Sequence, residues 1–338
     1  MAAPSSSFCS AKFLLVIFLV SAIPLALVIS LERRIKSDSY RDNYEYHSLG
    51  WFREGNKWDD LNRRFLVSSF DGGISQILLP HDHTPGTVLL EQSVLREDDV
   101  AGNATLGIVI DHPRNRLLVA IADVLGNRFS AVAAYDLTTW NRLFLTHLSG
   151  RQGDEKSMAD DVAVDQDGNA YVTDAKGSKI WKVGVEGDLK SVIRSSIFHP
   201  KEWYKSLVGL NGIVYHPNGF LLVIHTSSGN LFKIEHLGDQ EELQVKLVKL
   251  VAGSLIFGDG MELLSPTNLV VAGTPSGRLV ESVDDWETAK VVAKYSGPLH
   301  RLATAVTIKD GKPYLSHLIG LGLPKRKHVI IEAAFLPI

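Results

Sequence analysis

Met158–Asp174 (MADDVAVDQDGNAYVTD) and Gly209–His225 (GLNGIVYHPNGFLLVIH) read as two copies of one unit. Each is a short apolar run, an Asp-Gly or Asn-Gly turn and a second apolar run, the pattern of two antiparallel strands. A weaker copy lies at Thr105–Ala120 (TLGIVIDHPRNRLLVA), and others start near Glu54-Gly55, Asp259-Gly260 and Thr304-Ala305. Aligning the copies puts Glu54, Leu106, Asp160, Asn211, Asp259 and Thr304 at one equivalent position, with successive spacings of 52, 54, 51, 48 and 45 residues. A unit of about 50 residues carrying four short strands is one propeller blade. The chain therefore reads as all-β, a six-bladed β-propeller of four-stranded blades.

In the clearest blade the strands fall at Asp161–Asp165, Asn169–Asp174, Lys179–Val183 and Leu189–Arg194. The last blade shows three, ending in Val329–Phe335, and Tyr44–Ser48 can supply its outer strand. That pairing of the two chain ends would close the ring and remove a free sheet edge. A solenoid of the same period is the competing architecture, but it has no need of inner strands that all start facing one axis.

Working outward, Phe13–Leu31 is uncharged and almost wholly apolar, with Lys12 before it and Glu32-Arg33-Arg34 after it. It reads as an N-terminal hydrophobic helix serving as a signal peptide or a membrane anchor. Small residues before possible cleavage points after Ala22 and Ser30 fit the first reading. Arg33, Arg34 and Lys36 on the far flank favour a cytoplasmic side if the segment is retained. The organisation expected is 1–31 signal or anchor, 32–43 linker and 44–338 propeller. Asn103-Ala104-Thr105 is a sequon, so Asn103 is the glycosylation candidate of a lumenal domain. The secretory pathway (extracellular, vacuolar or ER lumen) or attachment to a membrane through residues 13–31 is the location expected.

A net charge of −3 gives no electrostatic footprint for nucleic acid. The single cysteine, Cys9, precedes the hydrophobic segment, so the propeller has no disulfide, cysteine zinc site or cysteine nucleophile. A monomer acting on a small molecule is the simplest expectation.

The first strand of a propeller blade lines the central channel, so the six equivalent residues form a ring. Three carboxylates and an amide in it (Glu54, Asp160, Asn211, Asp259) repel unless a cation or protons neutralise them. Oxygen ligands without sulfur or imidazole suit Ca²⁺, with another divalent cation as the alternative. Glycine follows the ring residue at Gly55, Gly107, Gly212 and Gly260, where a missing Cβ would let the chain turn and leave room for an ion. Asp-Gly and Asn-Gly pairs are also ordinary turn chemistry, and that reading stays open. Second strands return to the ring side and end at Ser69, Ile121, Asp174, His225, Gly273 and His317. His225 is a candidate base, and Asp174 and His317, with Thr304 of the ring, are candidate substrate contacts. Surface turn residues are the plainer alternative for each.

Phe52-Arg53-Glu54-Gly55, Asp160-Asp161-Val162-Ala163-Val164-Asp165, Asn211-Gly212 and Asp259-Gly260-Met261 resemble the senescence marker protein-30, gluconolactonase and luciferin-regenerating enzyme-like family. The resemblance runs from about residue 50 to the end, with the flavour of the wider calcium-dependent phosphotriesterase-like and strictosidine-synthase-like propellers. It implies calcium bound by Glu54, Asn211 and Asp259, with Asp160 where the family more often has asparagine. It also implies hydrolysis of lactones or related esters through a metal-polarised carbonyl, with Asp259 as general base. The first motif departs from the family's Glu-Gly-Pro, reading Glu54-Gly55-Asn56. Three functions follow: a calcium-dependent hydrolase of small lactones, esters or phosphotriesters; a non-catalytic ligand- or protein-binding propeller with structural calcium; or a strictosidine-synthase-like lyase.

Overall fold

The computed structural model describes residues 43–338 apart from 151–154, 239–241 and 276, together with Leu27, Ser30 and Leu31. The hydrophobic segment expected at 13–31 otherwise lies outside the described residues, as does nearly all of the linker. Among the described residues no helix is long and apolar enough to cross a membrane.

The chain from Asn43 onward is a six-bladed propeller. The innermost strands are Arg53–Asp59, Ala104–Asp111, Ala159–Val164, Leu210–His216, Gly258–Ser265 and Ala303–Lys309 for blades 1 to 6. Each packs against the inner strands of both neighbouring blades, and that of blade 6 packs against that of blade 1. This closed cycle excludes a solenoid.

Alternation builds the core. In blade 4, Leu221 and Val223 of the second strand join the apolar cluster shared with blade 3, while Leu222 and Ile224 join the one shared with blade 5. Both faces of each blade are covered, so the strand Phe220–His225 reads as a continuous apolar run rather than an alternating one. Six such clusters, one at each boundary between blades, make up the core.

Asn43–Ser48 pairs antiparallel with Arg326–Ile331 as the outer strand of blade 6, from Asn43↔Ile331 to Ser48↔Arg326. The same strand also pairs in parallel with the outer strand of blade 1 at Glu45↔Val88. Tyr44 and Tyr46 are buried there with Phe65, Leu89 and Tyr314. A polar network completes the seam. Buried Arg53 donates to Glu91 at 2.7 Å, to Ser69 at 2.8 Å and to Ser48, and His328 bonds the Gly50 carbonyl at 3.0 Å.

A candidate acidic channel site

Each inner strand carries a β-bulge at its ring residue. The residue before it pairs with the end of the second strand, as in Arg53↔Ser69, Ala159↔Asp174, Leu210↔His225 and Ala303↔His317, and the register then shifts. Blades 2 and 5 repeat this at Thr105↔Ile121 and Gly258↔Gly273. A bulge takes a residue out of the ladder and re-aims its side chain. Six bulges in one register are what make a ring from the repeat.

The glycines after the ring residues serve a different purpose from the one their turn chemistry suggests. A Cβ on Gly55 would lie 2.6 Å from the Leu106 carbonyl oxygen, and one on Gly260 would lie 2.6 Å from that of Thr304. Gly107 and Gly212 face the Asp160 and Asp259 carbonyls in the same way. The space is filled by the next blade's backbone, so glycine sets how closely the inner strands pack. Room for an ion is not what it provides.

Burial, then the charges of Asp259 and Asp160, push the Glu54 carboxyl well above its ordinary range. Burial, then Asp259 and Asp161, do the same to Asp160. Asp259 is raised to about 7 by burial, against hydrogen bonds from the Asn211 side chain and the Gly260 N–H. These carboxyls therefore feel one another across the channel. Asp160 is only 7% exposed, and its Oδ2 has no hydrogen-bond partner. An unpaired buried carboxylate oxygen among other acids fits a cation, and Glu54, Asp160, Asn211 and Asp259 are the residues to hold one.

Three further residues complete the charge pattern. Asp161 stands where four other blades have glycine; its carboxylate accepts from Val162 N at 2.8 Å and Ile213 N at 3.3 Å, and burial raises it to about 6. Lys57 of blade 1 pairs with Glu262 of blade 5, each three residues beyond its ring residue, and Asp161 and Glu54 add to the field at Lys57. The repeat alignment contained the signal, because the other blades have Val109, Ala163, Val214 and Thr307 at that place.

The remaining candidates take varied positions. Leu106, the blade 2 ring residue, is buried in the core between blades 2 and 3. The Thr304 hydroxyl donates to the Glu54 carbonyl at 3.0 Å, tying blade 6 to blade 1. Asp174 is fully buried; its Oδ1 accepts from the N–H groups of Met158, Lys176 and Gly177 at 2.7–2.9 Å, and Lys179 lies 3.4 Å from its other oxygen. His225 is fully buried on the blade 4 face turned to blade 3, and burial lowers it to about 4. His317 lines a cleft between blades 5 and 6. Asn103 is half-buried, its amide donating to the Val100 carbonyl at 3.1 Å.

One other acidic group lies on the opposite face. Asp59, Asp60 and His112 bring ligand atoms within 4.8 Å of one another, a tighter spacing than the ring carboxylates show among the described residues. Asp59, however, is bound by Arg64 at 2.8 Å and by Asn62 at 2.9 Å, which makes it half of a structural ion pair.

No protein-family model and no curated protein matches the chain. Solved structures do. The major allergen Mala s 1 of Malassezia sympodialis superposes with a TM-score of 0.68 at 16% identity, covering 87% of this chain and 96% of that one. A gluconolactonase of Xanthomonas campestris gives 0.54 at 16% identity, over 84% and 88% of the two chains. A luciferin-regenerating enzyme gives 0.56 at 12% identity, over 88% and 97%. The fold is that of the gluconolactonase-like propellers. In this gluconolactonase-like propeller, identities of 12–16% speak for the fold alone, so the case for a site rests on the channel residues themselves.

Proposed function

We propose that the protein is a metal-dependent hydrolase of small lactones or esters, working at the channel mouth. The observation that carries this reading is the buried, partnerless Oδ2 of Asp160 amid Glu54, Asp259 and the Asn211 amide. Ca²⁺ held there would polarise a carbonyl oxygen toward attack. Asp259 would take the proton of the attacking water, with the Asn211 side chain orienting its carboxylate. Lys57 and Glu262 pair three residues beyond the ring positions of blades 1 and 5.

The neighbours named gluconolactonase and luciferin-regenerating enzyme support an enzyme. A second reading is a propeller that binds a ligand without turning it over, since the fold alone accommodates either. The secretory route is part of the proposal and rests on the apolar run Phe13–Leu31.

The deciding experiment is a lactone and ester panel with and without chelator, run beside the Asp259→Asn variant. Chelator should abolish turnover, and the variant should lose about 10²-fold or more in kcat at saturating calcium. Full activity of the variant under those conditions would remove Asp259 as the base. Absence of turnover across the panel, with calcium still raising the melting temperature, would favour the binding reading.

A further inference from the structure

The two faces of blades 5, 6 and 1 differ in chemistry. On the ring side, segments 253–257, 274–275, 296–302 and 318–325 serve blades 5 and 6, and 49–52 leads into blade 1. These segments contain no aspartate or glutamate. Leu49, Trp51, Phe52, Phe257, Leu302 and Leu323 stand exposed in them, Leu49 at 78% and Leu323 at 80%. On the far face, where the inner strands end, the described turns of the same blades carry Asp60, Asp82, Asp284, Asp285, Glu287 and Asp310, with Arg63 as their one arginine or lysine.

The backbone draws most of the exposed residues together at the seam. Gly320 N donates to the Trp51 carbonyl and Leu318 N to the Leu302 carbonyl, each at 2.8 Å, and Phe52 bridges to Ile319. Residues 49–52 and Leu302 therefore flank 318–323. The Arg326 guanidinium lies 4.1 Å over the Trp51 ring, and its Nη1 donates to the Pro324 carbonyl at 2.7 Å. Lys325 beside it is exposed. Asp71, in the next ring-side turn, bounds the patch and lies in the field of Arg53. Apolar tips with a tryptophan and two cations, and acids only on the opposite face, are the chemistry of an interfacial surface.

We propose that this ring-side patch docks on a lipid bilayer bearing anionic headgroups. Leu49, Trp51, Phe52 and Leu323 would enter the acyl boundary, while Lys325 and Arg326 stay among the headgroups. The far-face acids would be repelled by the same surface, which fixes one orientation. A second copy fits less well, because an isologous contact would set both cations against their own kind with no acid to meet them. The chain enters the propeller at this seam, at Asn43 on the outer strand of blade 6. Residues 32–42 reach at most about 36–40 Å, against about 20 Å for the six-residue strand they precede, so a tether through Phe13–Leu31 permits the docking. The proposal stands whether or not the channel is catalytic.

The test places a polarity-sensitive fluorophore on single cysteines in the full chain with Cys9→Ser. Leu49→Cys and Leu323→Cys report the ring side, Leu61→Cys and Val283→Cys the far face, all at side chains 74–83% exposed. The chains are reconstituted in phosphatidylcholine–phosphatidylglycerol vesicles carrying brominated acyl chains. Labels at 49 and 323 should shift to the blue and be quenched, while those at 61 and 283 should not. Lys325→Glu should reduce the quenching at 49. No quenching at 49 and 323, or equal quenching at all four positions, overturns the proposal. Equal quenching in phosphatidylcholine alone overturns the choice of an anionic surface. A blue shift that grows with protein concentration and needs no vesicles overturns it in favour of a second copy.

Discussion

Removing one charge from the ring should stabilise the metal-free protein, and only at the pH where that charge exists. Burial raises Asp259 from 3.8 to about 7. A carboxyl whose folded-state pKa lies above its unfolded value holds its proton more tightly when native. Stability is therefore full below pH about 4 and falls as pH climbs through about 7. A shift of about three units corresponds to about 4 kcal/mol lost by pH 8 if Asp259 titrates alone. Glu54 and Asp160 share the field, so about 2 kcal/mol is the working figure. Asp259→Asn cannot ionise, and its amide oxygen can still accept from the Asn211 side chain and the Gly260 N–H. In chelator at pH 8 the variant should melt about 4 °C above wild type, taking about 2 °C per kcal/mol for a domain of this size. At pH 4.5 the difference should shrink to about a quarter of that. Saturating calcium should reverse the order, because wild type gains more from binding. Scanning calorimetry at the two pH values, with chelator and with calcium, reads all of this. A variant less stable than wild type at pH 8 in chelator, or an equal gain at both pH values, would refute the picture of mutually repelling acids.

Three further outcomes follow from the geometry. Lys57→Met leaves Glu262 without its cation and should lower the urea midpoint by the equivalent of about 1–3 kcal/mol, while Lys57→Met with Glu262→Leu recovers most of the loss; equal loss in the single and double variants would show that the pair is not coupled. A chain starting at residue 37 should unfold cooperatively, whereas one starting at residue 51 loses the closing strand with Tyr44 and Tyr46, each worth about 2–3 kcal/mol; equal urea midpoints would dismiss the seam. Expressed in a glycosylating host, the protein should lose mass on glycosidase treatment and Asn103→Gln should not, and a propeller found on the cytosolic side by protease protection would contradict the proposed route.

The repeat in the sequence was enough to place the blades, the ring register and the closing strand. A blade is made of pairings local in the chain, so Met158–Asp174 and Gly209–His225 carry the same imprint wherever they sit in the ring. Tyr44–Ser48 was legible for another reason: blade 6 lacked a strand that only the other end of the chain could supply. Side-chain direction was not local and could not be read this way. Leu106 shares a register with Glu54 but turns into the core between blades 2 and 3. His225 and Asp174 end strands on the ring side, yet both are buried, because the adjoining blade and the following loop enclose them. Gly55 and Gly260 read as turn residues until the neighbour's carbonyl appeared 2.6 Å from where a Cβ would be. Lys57 and Glu262 stand 205 residues apart and meet only because blades 1 and 5 share the channel. What a strand pairs with is written in its own period; what a side chain faces depends on the bulges and on the neighbouring blades, which exist only once the ring has closed.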